Sequence, residues 1–427
     1  MDEKETKLIV TGGSPLHGEI HVSGMKNAAL PILFGCLLNE NPCIIRNLPK
    51  VTDIELTMQI LECAGVSIRR IDDSSVEIDA KNAQPMKAPP ELVRMMRGSS
   101  YVLGAELGRF GHTKISQLGG CAFAPRPIDQ HKKAFTCLGA VVMDGEQFVF
   151  ADAETGDRLR GGNIVFDIQS VGATVNAILA ATLADGQTTI ENAAREPHIV
   201  DLANFLNTCG ADIRGAGTSI IKIRGVDSLH GCTYAVAPDM IEAGTYLAMV
   251  AGTGGDVIVK DIIPQHLKSV CSKLIEMGVE IDDQGDAIRI RSDGILDPVR
   301  ITAAPYPSFP TDLQPQFGAL LSIGLGESII IDEVFKSRFQ YVEGLNKMGA
   351  DIQADTERGM AVINGVKYLT GAKVQGTDLR ASAALLTAAL MAKGESEVTG
   401  IDKLKRGYEN IVEKLIGIGA SLKEEEI

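Results

Sequence analysis

The chain has 427 residues, 45% of them apolar and 22% charged. That describes a globular protein with an ample core and room for two to four domains. A net charge of −14, 4% aromatic residues and no Trp argue against a nucleic-acid partner, which would need basic surface and stacking rings. No uninterrupted apolar run nears the roughly 18 residues of a membrane span, and the opening MDEKETKLIV has no signal-peptide core. The eight cysteines form no CxxC pair, and the histidines lack metal spacing. The expectation is a cytoplasmic, reduced, metal-free protein without cofactor or membrane.

In chain order, one unit recurs. An amphipathic run ends in Gly, followed by a small or β-branched residue and an alternating strand. It appears at Gly65, Gly139, Gly210, Gly278, Gly349 and Gly419, a period of roughly 70 residues, longer than the common solenoids. Each glycine suits the left-handed position that closes a helix. Between these runs lie segments of another kind: KNAALPILFGCLL, SVGATVNAILAATLA, MIEAGTYLAMVAG, DLQPQFGALLSIG and DLRASAALLTAALMA. They are apolar nearly all round, so they predict buried helices. Alternating strands can keep one face wet. The expected fold is therefore inside-out α/β, with helices inside and sheets outside. Six units suggest two similar domains of three.

Polar residues collect where the buried helices start: Lys26, Asn27, Arg97, Ser170, Asp312, and Asp378 with Arg380. Arg126, Arg338 and Arg406 precede the amphipathic helices. Helix N-termini carry free N–H groups and partial positive charge, which suits phosphate or carboxylate. If the helices run parallel within each domain, two cationic faces can oppose each other across a cleft. Any one arginine fits a surface ion pair as well; five of them with Lys26, six cations at equivalent repeat positions, favour anion binding.

The loop at 119–129, GGCAFAPRPID, places Cys121 five residues before Arg126. A thiol near fixed positive charge has a lowered pKa and can act as nucleophile or proton carrier. A buried structural thiol is the other reading of a lone Cys.

SGMKNAALPIL (23–33), the 119–129 loop, SVGAT (170–174), ENAAREP (191–197), FPTDLQPQF (309–317), TDLRAS (377–382) and RGYE (406–409) together resemble the enolpyruvyl transferase family, over essentially the whole chain. The branch acting on a UDP-sugar fits best, because the sister enzyme for shikimate 3-phosphate has no equivalent of the cysteine loop. The resemblance implies two inside-out α/β domains, each of three βαβαββ units. It places one domain at 1–25 and 236–427 and the other at 26–235, with the active site in the cleft between them.

It further implies transfer of the enolpyruvyl group of phosphoenolpyruvate to the 3′-hydroxyl of UDP-N-acetylglucosamine, with release of phosphate. This would be the first committed step of peptidoglycan precursor synthesis. In that reading Asp312 is the base for the hydroxyl, although a helix cap fits its position equally well. Cys121 protonates C3 of phosphoenolpyruvate and is the expected covalent target of fosfomycin. Lys26, Arg126 and Arg406 hold the phosphate, Arg338 and Arg380 the carboxylate, and Arg97 is a further cation. Asn27 touches the sugar. Pro127, Ile128, Asp129, Ser170, Val171, Gly172, Thr311, Val334 and Phe335 line the nucleotide-sugar. Departures from the family pattern stand at Ala124, Pro125, Ile168, Gln169, Met240, Lys403 and Lys405. They leave open a paralogue with another nucleotide or sugar-phosphate acceptor. A non-catalytic nucleotide-sugar-binding regulator is a second alternative, disfavoured because Cys121, Asp312 and Lys26 are all present.

Overall fold

The computed structural model describes residues 6–116, 128–144, 148–154 and 158–426. The chain forms two compact units. One takes the chain up to Ser23 and again from Pro238; the other is Gly24–Ala237. Three sheets belong to each unit among the described residues.

The expected inner helices are all present. They run Lys26–Gly35, Tyr101–Phe110, Val171–Ala181, Met240–Thr253, Gln314–Leu321 and Leu379–Met391. Their Ala- and Gly-rich surfaces are buried almost throughout. The hydroxyls they do carry turn back on the helix. Thr182, Thr245 and Thr387 each donate to the carbonyl four residues earlier, at 2.8 Å. A buried helix can hold them because no hydroxyl is left unsatisfied. Small residues also let these helices approach closely. A Cβ added at Gly104 would lie 2.5 Å from the carbonyl oxygen of Asn176, and the Gly104 N–H donates to Asn176 Oδ1 at 2.7 Å.

The strands keep the outside. Ile220–Arg224 alternates exposed and buried along its length, as does Glu327–Asp332 with half-buried residues between the buried ones. Five sheets share one order, a parallel pair at one edge extended by two antiparallel strands. In three of them the parallel strands flank one inner helix in the chain. Asn163–Val165, Gln187–Glu191, Ile220–Arg224 and Asp212–Arg214 are one example. The sixth sheet, His112–Ser116, Phe148–Ala153 and Ala140–Asp144, has three strands among the described residues. In two sheets the parallel partners come from distant sequence, Leu16–His21 with Gly255–Lys260 and Thr233–Ala235 with Cys43–Arg46. That pairing lets the chain leave one unit after Ser23 and return at Pro238.

Amphipathic helices precede all six marker glycines. Gly65, Gly139, Gly210, Gly278, Gly349 and Gly419 have φ between 79° and 101°. A side chain would be strained there, which is why glycine recurs at the end of each unit.

Candidate active site

In the unit that includes Pro238 onward, three inner helices bring their N-terminal portions together. Thr311 and Asp312 lie in the short turn Thr311–Leu313 that leads into Gln314–Leu321. Arg380 is the second residue of Leu379–Met391, a helix capped by Asp378 through the N–H groups of Arg380 and Ala381. The two helix starts meet at Asp312. Arg338 Nη1 lies 2.6 Å from Asp312 Oδ1, and Arg380 Nη2 lies 2.8 Å from Oδ2. The guanidinium side chains are 6% and 8% exposed, the carboxylate 24%.

The third helix joins through Tyr408, in the RGYE segment. Its hydroxyl lies 2.9 Å from Thr245 Oγ1 and accepts from Gln316 Nε2 at 3.1 Å and from Arg380 Nη1 at 3.3 Å. Gln316 also donates to Thr245, at 3.1 Å. Arg380 is thus fixed by a carboxylate on one side and a phenol on the other.

Arg338 is positioned by a separate device. Asp332, at the end of its strand and buried, accepts the N–H groups of Val334 and Phe335 at 2.9 and 2.7 Å. Its other oxygen takes the Thr311 hydroxyl at 2.6 Å. The turn so formed places the Phe335 ring under the Arg338 guanidinium, 4.6 Å away, a cation–π contact. Arg338 donates to Thr311 as well, at 3.1 Å.

Burial pushes the Asp312 carboxyl up, but the charges of Arg380 and Arg338 outweigh it and hold the group far below the usual carboxylate range. Burial pulls Arg380 down, and Asp312 more than restores it. Asp312 is ionised at any working pH. Two guanidiniums and one carboxylate leave this group of three at +1, which suits an incoming anion. Arg406, half-buried, lies two residues before Tyr408. Among the departures, Met240 is buried at the start of its helix. Lys405 points to Glu424 at 2.6 Å and Lys403 lies 3.8 Å from Asp402, so both unexpected cations are engaged in ion pairs.

In the unit Gly24–Ala237, Lys26 opens its inner helix. It is buried, with its ammonium 3.0 Å from Asp53 Oδ2, also buried. Asp53 lies in the first turn of Thr52–Cys63. Thr57, one turn on, contacts the sulfur of Met96, the neighbour of Arg97. Arg97 starts the turn Arg97–Ser100, and its charge reaches His131. The His131 ring in turn packs on Gly172: a Cβ there would meet Nε2 at 2.9 Å. Ser170 caps the helix that Val171 begins, its hydroxyl accepting from Ala173 N–H at 3.3 Å. Asn27 and Ile128 are half-buried, and Asp129 is exposed at the head of Asp129–Cys137. Gln169 donates to the Ala193 carbonyl at 3.3 Å, and Ile168 is exposed. Cys121, Ala124, Pro125, Arg126 and Pro127 lie outside the described residues.

Sequence reasoning missed Asp53, His131, Asp332, Tyr408, Thr245 and Gln316. Tyr408 stands inside the RGYE motif, and its role as an arginine partner could have been suspected there. Asp53 and His131 carry no local signal. His131 is pushed down to about 4, first by burial and then by Arg97. It is neutral, with Nδ1 making no hydrogen bond within the described residues.

Comparison with known proteins decides the family. The model for EPSP synthase (3-phosphoshikimate 1-carboxyvinyltransferase) matches residues 10–415. The chain belongs to the enolpyruvyl transferase family. It is 47% identical to the UDP-N-acetylglucosamine 1-carboxyvinyltransferase of Clostridium botulinum, over 98% of this chain and 99% of that one. It is 44% identical to UDP-N-acetylglucosamine 1-carboxyvinyltransferase 2 of Bacillus cereus, over 99% and 97%. Among solved structures it is similar to the enolpyruvyl transferase NikO from Streptomyces tendae, with a TM-score of 0.88 and 25% identity over all of both chains. EPSP synthase from Acinetobacter baumannii has the same fold at a TM-score of 0.75 and 19% identity, over 99% of this chain and 100% of that one. The enolpyruvyl transferase fold of two α/β domains is therefore the fold of this chain. No helix among the described residues is long and apolar enough to cross a membrane.

Proposed function

We propose that this enolpyruvyl transferase moves the enolpyruvyl group of phosphoenolpyruvate onto the 3′-hydroxyl of UDP-N-acetylglucosamine, releasing phosphate. The observation that carries the reading is Asp312 gripped by Arg338 and Arg380. It stands in a chain 44–47% identical, nearly end to end, to proteins named for that reaction. A carboxylate base next to a pair of guanidiniums suits an anionic co-substrate and an acceptor that must lose a proton.

In this mechanism the phosphoenolpyruvate carboxylate docks on Arg338 and Arg380, whose planar forks match two oxygens at once. The added negative charge offsets the guanidiniums and loosens their hold on Asp312. Its basicity rises as the substrate arrives, when the sugar hydroxyl needs a base. The hydroxyl attacks C2 while Cys121 delivers a proton to C3, giving a tetrahedral ketal. Phosphate then leaves as C3 gives up a proton. Lys26, Arg126 and Arg406 are assigned to the phosphate, with Arg97 as a further cation. Asn27, Pro127, Ile128, Asp129, Ser170, Val171, Gly172, Thr311, Val334 and Phe335 are assigned to the nucleotide-sugar. Side chains and helix ends supply the positive charge, so the scheme uses no metal or organic cofactor. Phosphoenolpyruvate is a metabolite of the cytoplasm, and the proposal puts the enzyme there.

The test is phosphate release from phosphoenolpyruvate with UDP-N-acetylglucosamine or with shikimate 3-phosphate as acceptor. Release with the first alone is expected. Release with the second, or with neither, overturns the proposal. Fosfomycin should add once to the intact protein in the presence of UDP-N-acetylglucosamine, and the adduct should vanish in Cys121→Ala. An adduct that persists in that variant removes Cys121 from the mechanism.

A further inference from the structure

Three cysteines far apart in sequence meet in the unit Gly24–Ala237. The sulfurs of Cys43, Cys209 and Cys232 all lie within 4.8 Å of one another. Cys209 and Cys232 are 3.3 Å apart. Cys43 begins the strand Cys43–Arg46, Cys209 closes the helix Pro197–Thr208, and Cys232 directly precedes Thr233–Ala235. The two strands pair in parallel at Ile44 and Thr233, which brings Cys43 and Cys232 alongside. A fourth thiol, Cys36, lies buried at the end of the helix that Lys26 begins. The proposed transfer reaction uses none of the four.

We infer that Cys43, Cys209 and Cys232 form a binding site for one thiophilic divalent cation of the zinc class. Tetrahedral zinc with Zn–S bonds of about 2.3 Å puts its sulfurs about 3.8 Å apart. Cys209 and Cys232, at 3.3 Å, would move slightly apart, and all three sulfurs already lie within 4.8 Å of one another. The site is also supported from outside the sulfurs. Asn39 Nδ2 donates to Cys43 Sγ at 3.4 Å and to the His230 carbonyl at 2.6 Å, an orienting partner of the kind that tunes bound thiolates. Cys43 and Cys209 are buried and Cys232 is half-buried, so the cluster is dry on one side and reachable on the other.

The inference departs from the metal-free reading of the sequence. That reading rested on spacing, and ligands at 43, 209 and 232 have none. Bound metal would tie the first strand of the unit to its last. Binding replaces S–H bonds with S–metal bonds and releases one proton per thiolate.

The test uses full-length Cys121→Ser protein, reduced and stripped by a chelator, so that the loop thiol cannot compete. A count of the seven remaining thiols (8 − 1) confirms full reduction. Cobalt(II) is titrated and then displaced by zinc(II). One cobalt per chain with a thiolate-to-metal charge-transfer band is expected, together with stoichiometric loss of the band on adding zinc. Zinc should also raise the melting temperature. Cys232→Ser, at the half-buried position least demanding for folding, should weaken zinc binding at least about a hundredfold. Absence of the band in the fully reduced protein overturns the inference without any variant. A band unchanged in Cys232→Ser overturns it too. So does purification with a Cys209–Cys232 disulfide that, once reduced, leaves a protein binding no metal.

Discussion

Replacing Asp312 by Asn keeps the shape of the side chain and removes its charge. Arg338 and Arg380 then face each other, 6% and 8% exposed, with no counter-ion from this position. At 2.6–2.8 Å and an effective dielectric near 20, each lost attraction is roughly 6 kcal/mol before desolvation. Desolvation of the carboxylate offsets much of it. Removing one partner of a buried pair costs about 3–5 kcal/mol. Asp312 is 24% exposed, so water screens part of the loss, and the lower end, about 3 kcal/mol, is expected. For a unit of about 200 residues that corresponds to a melting temperature lower by roughly 6–12 °C. Phosphoenolpyruvate should recover more of that loss in the variant than it adds to the parent, because its carboxylate replaces the missing charge. Turnover should fall by about 10²–10⁴, the usual contribution of a general base. The assays are thermal unfolding with and without phosphoenolpyruvate, and phosphate release at saturating substrates. A variant retaining more than about a tenth of parent turnover would refute the base assignment. Equal stabilisation of both proteins by phosphoenolpyruvate would refute the docking of its carboxylate on these arginines.

Tyr408→Phe removes the hydroxyl shared by Thr245, Gln316 and Arg380. Unmaking a buried hydrogen-bonded hydroxyl should cost about 1–3 kcal/mol in urea unfolding, and KM for phosphoenolpyruvate should rise as Arg380 loses its lateral support. A change under about 0.5 kcal/mol would mean the hydroxyl is not holding the three helices together. His131 gives a pH signature. Its folded value of about 4 lies below the ordinary 6.5, so the fold favours the neutral ring. The contribution is complete above about pH 6.5 and is lost as the pH falls toward 4. Between pH 7 and 4.5 it removes roughly 2.5 kcal/mol of stability. His131→Gln should lack that part of the acid slope, and identical slopes for variant and parent would show that the ring is not buried neutral.

Much of the architecture was legible because repetition amplifies weak local signals. A single glycine after an amphipathic run is ambiguous. Six at one period imply six identical helix ends, and all six have left-handed backbone. Helices with no polar face can only be inside, which made the inverted layering readable from composition. The arginines could be flagged as a set for the same reason, since Arg338 and Arg380 stand at recurring helix starts.

Short-range pattern thus carries the repeat, the burial of one helix class, the closing glycines and the cations at helix starts, and all of these can be read along the chain. Which groups touch is set by the folded chain alone. Tyr408 meets Thr245 across 163 positions, and Asp312 meets Arg380 across 68. Lys26 finds Asp53 on the following helix. Cys43 meets Cys209 and Cys232 because a parallel strand pair joins the two ends of its unit. The physical reason is the same in each case. Helix ends and the burial of a helix face are set by local backbone geometry and composition, whereas a side chain's charge partner or ligand set depends on long-range pairing that residue spacing does not encode.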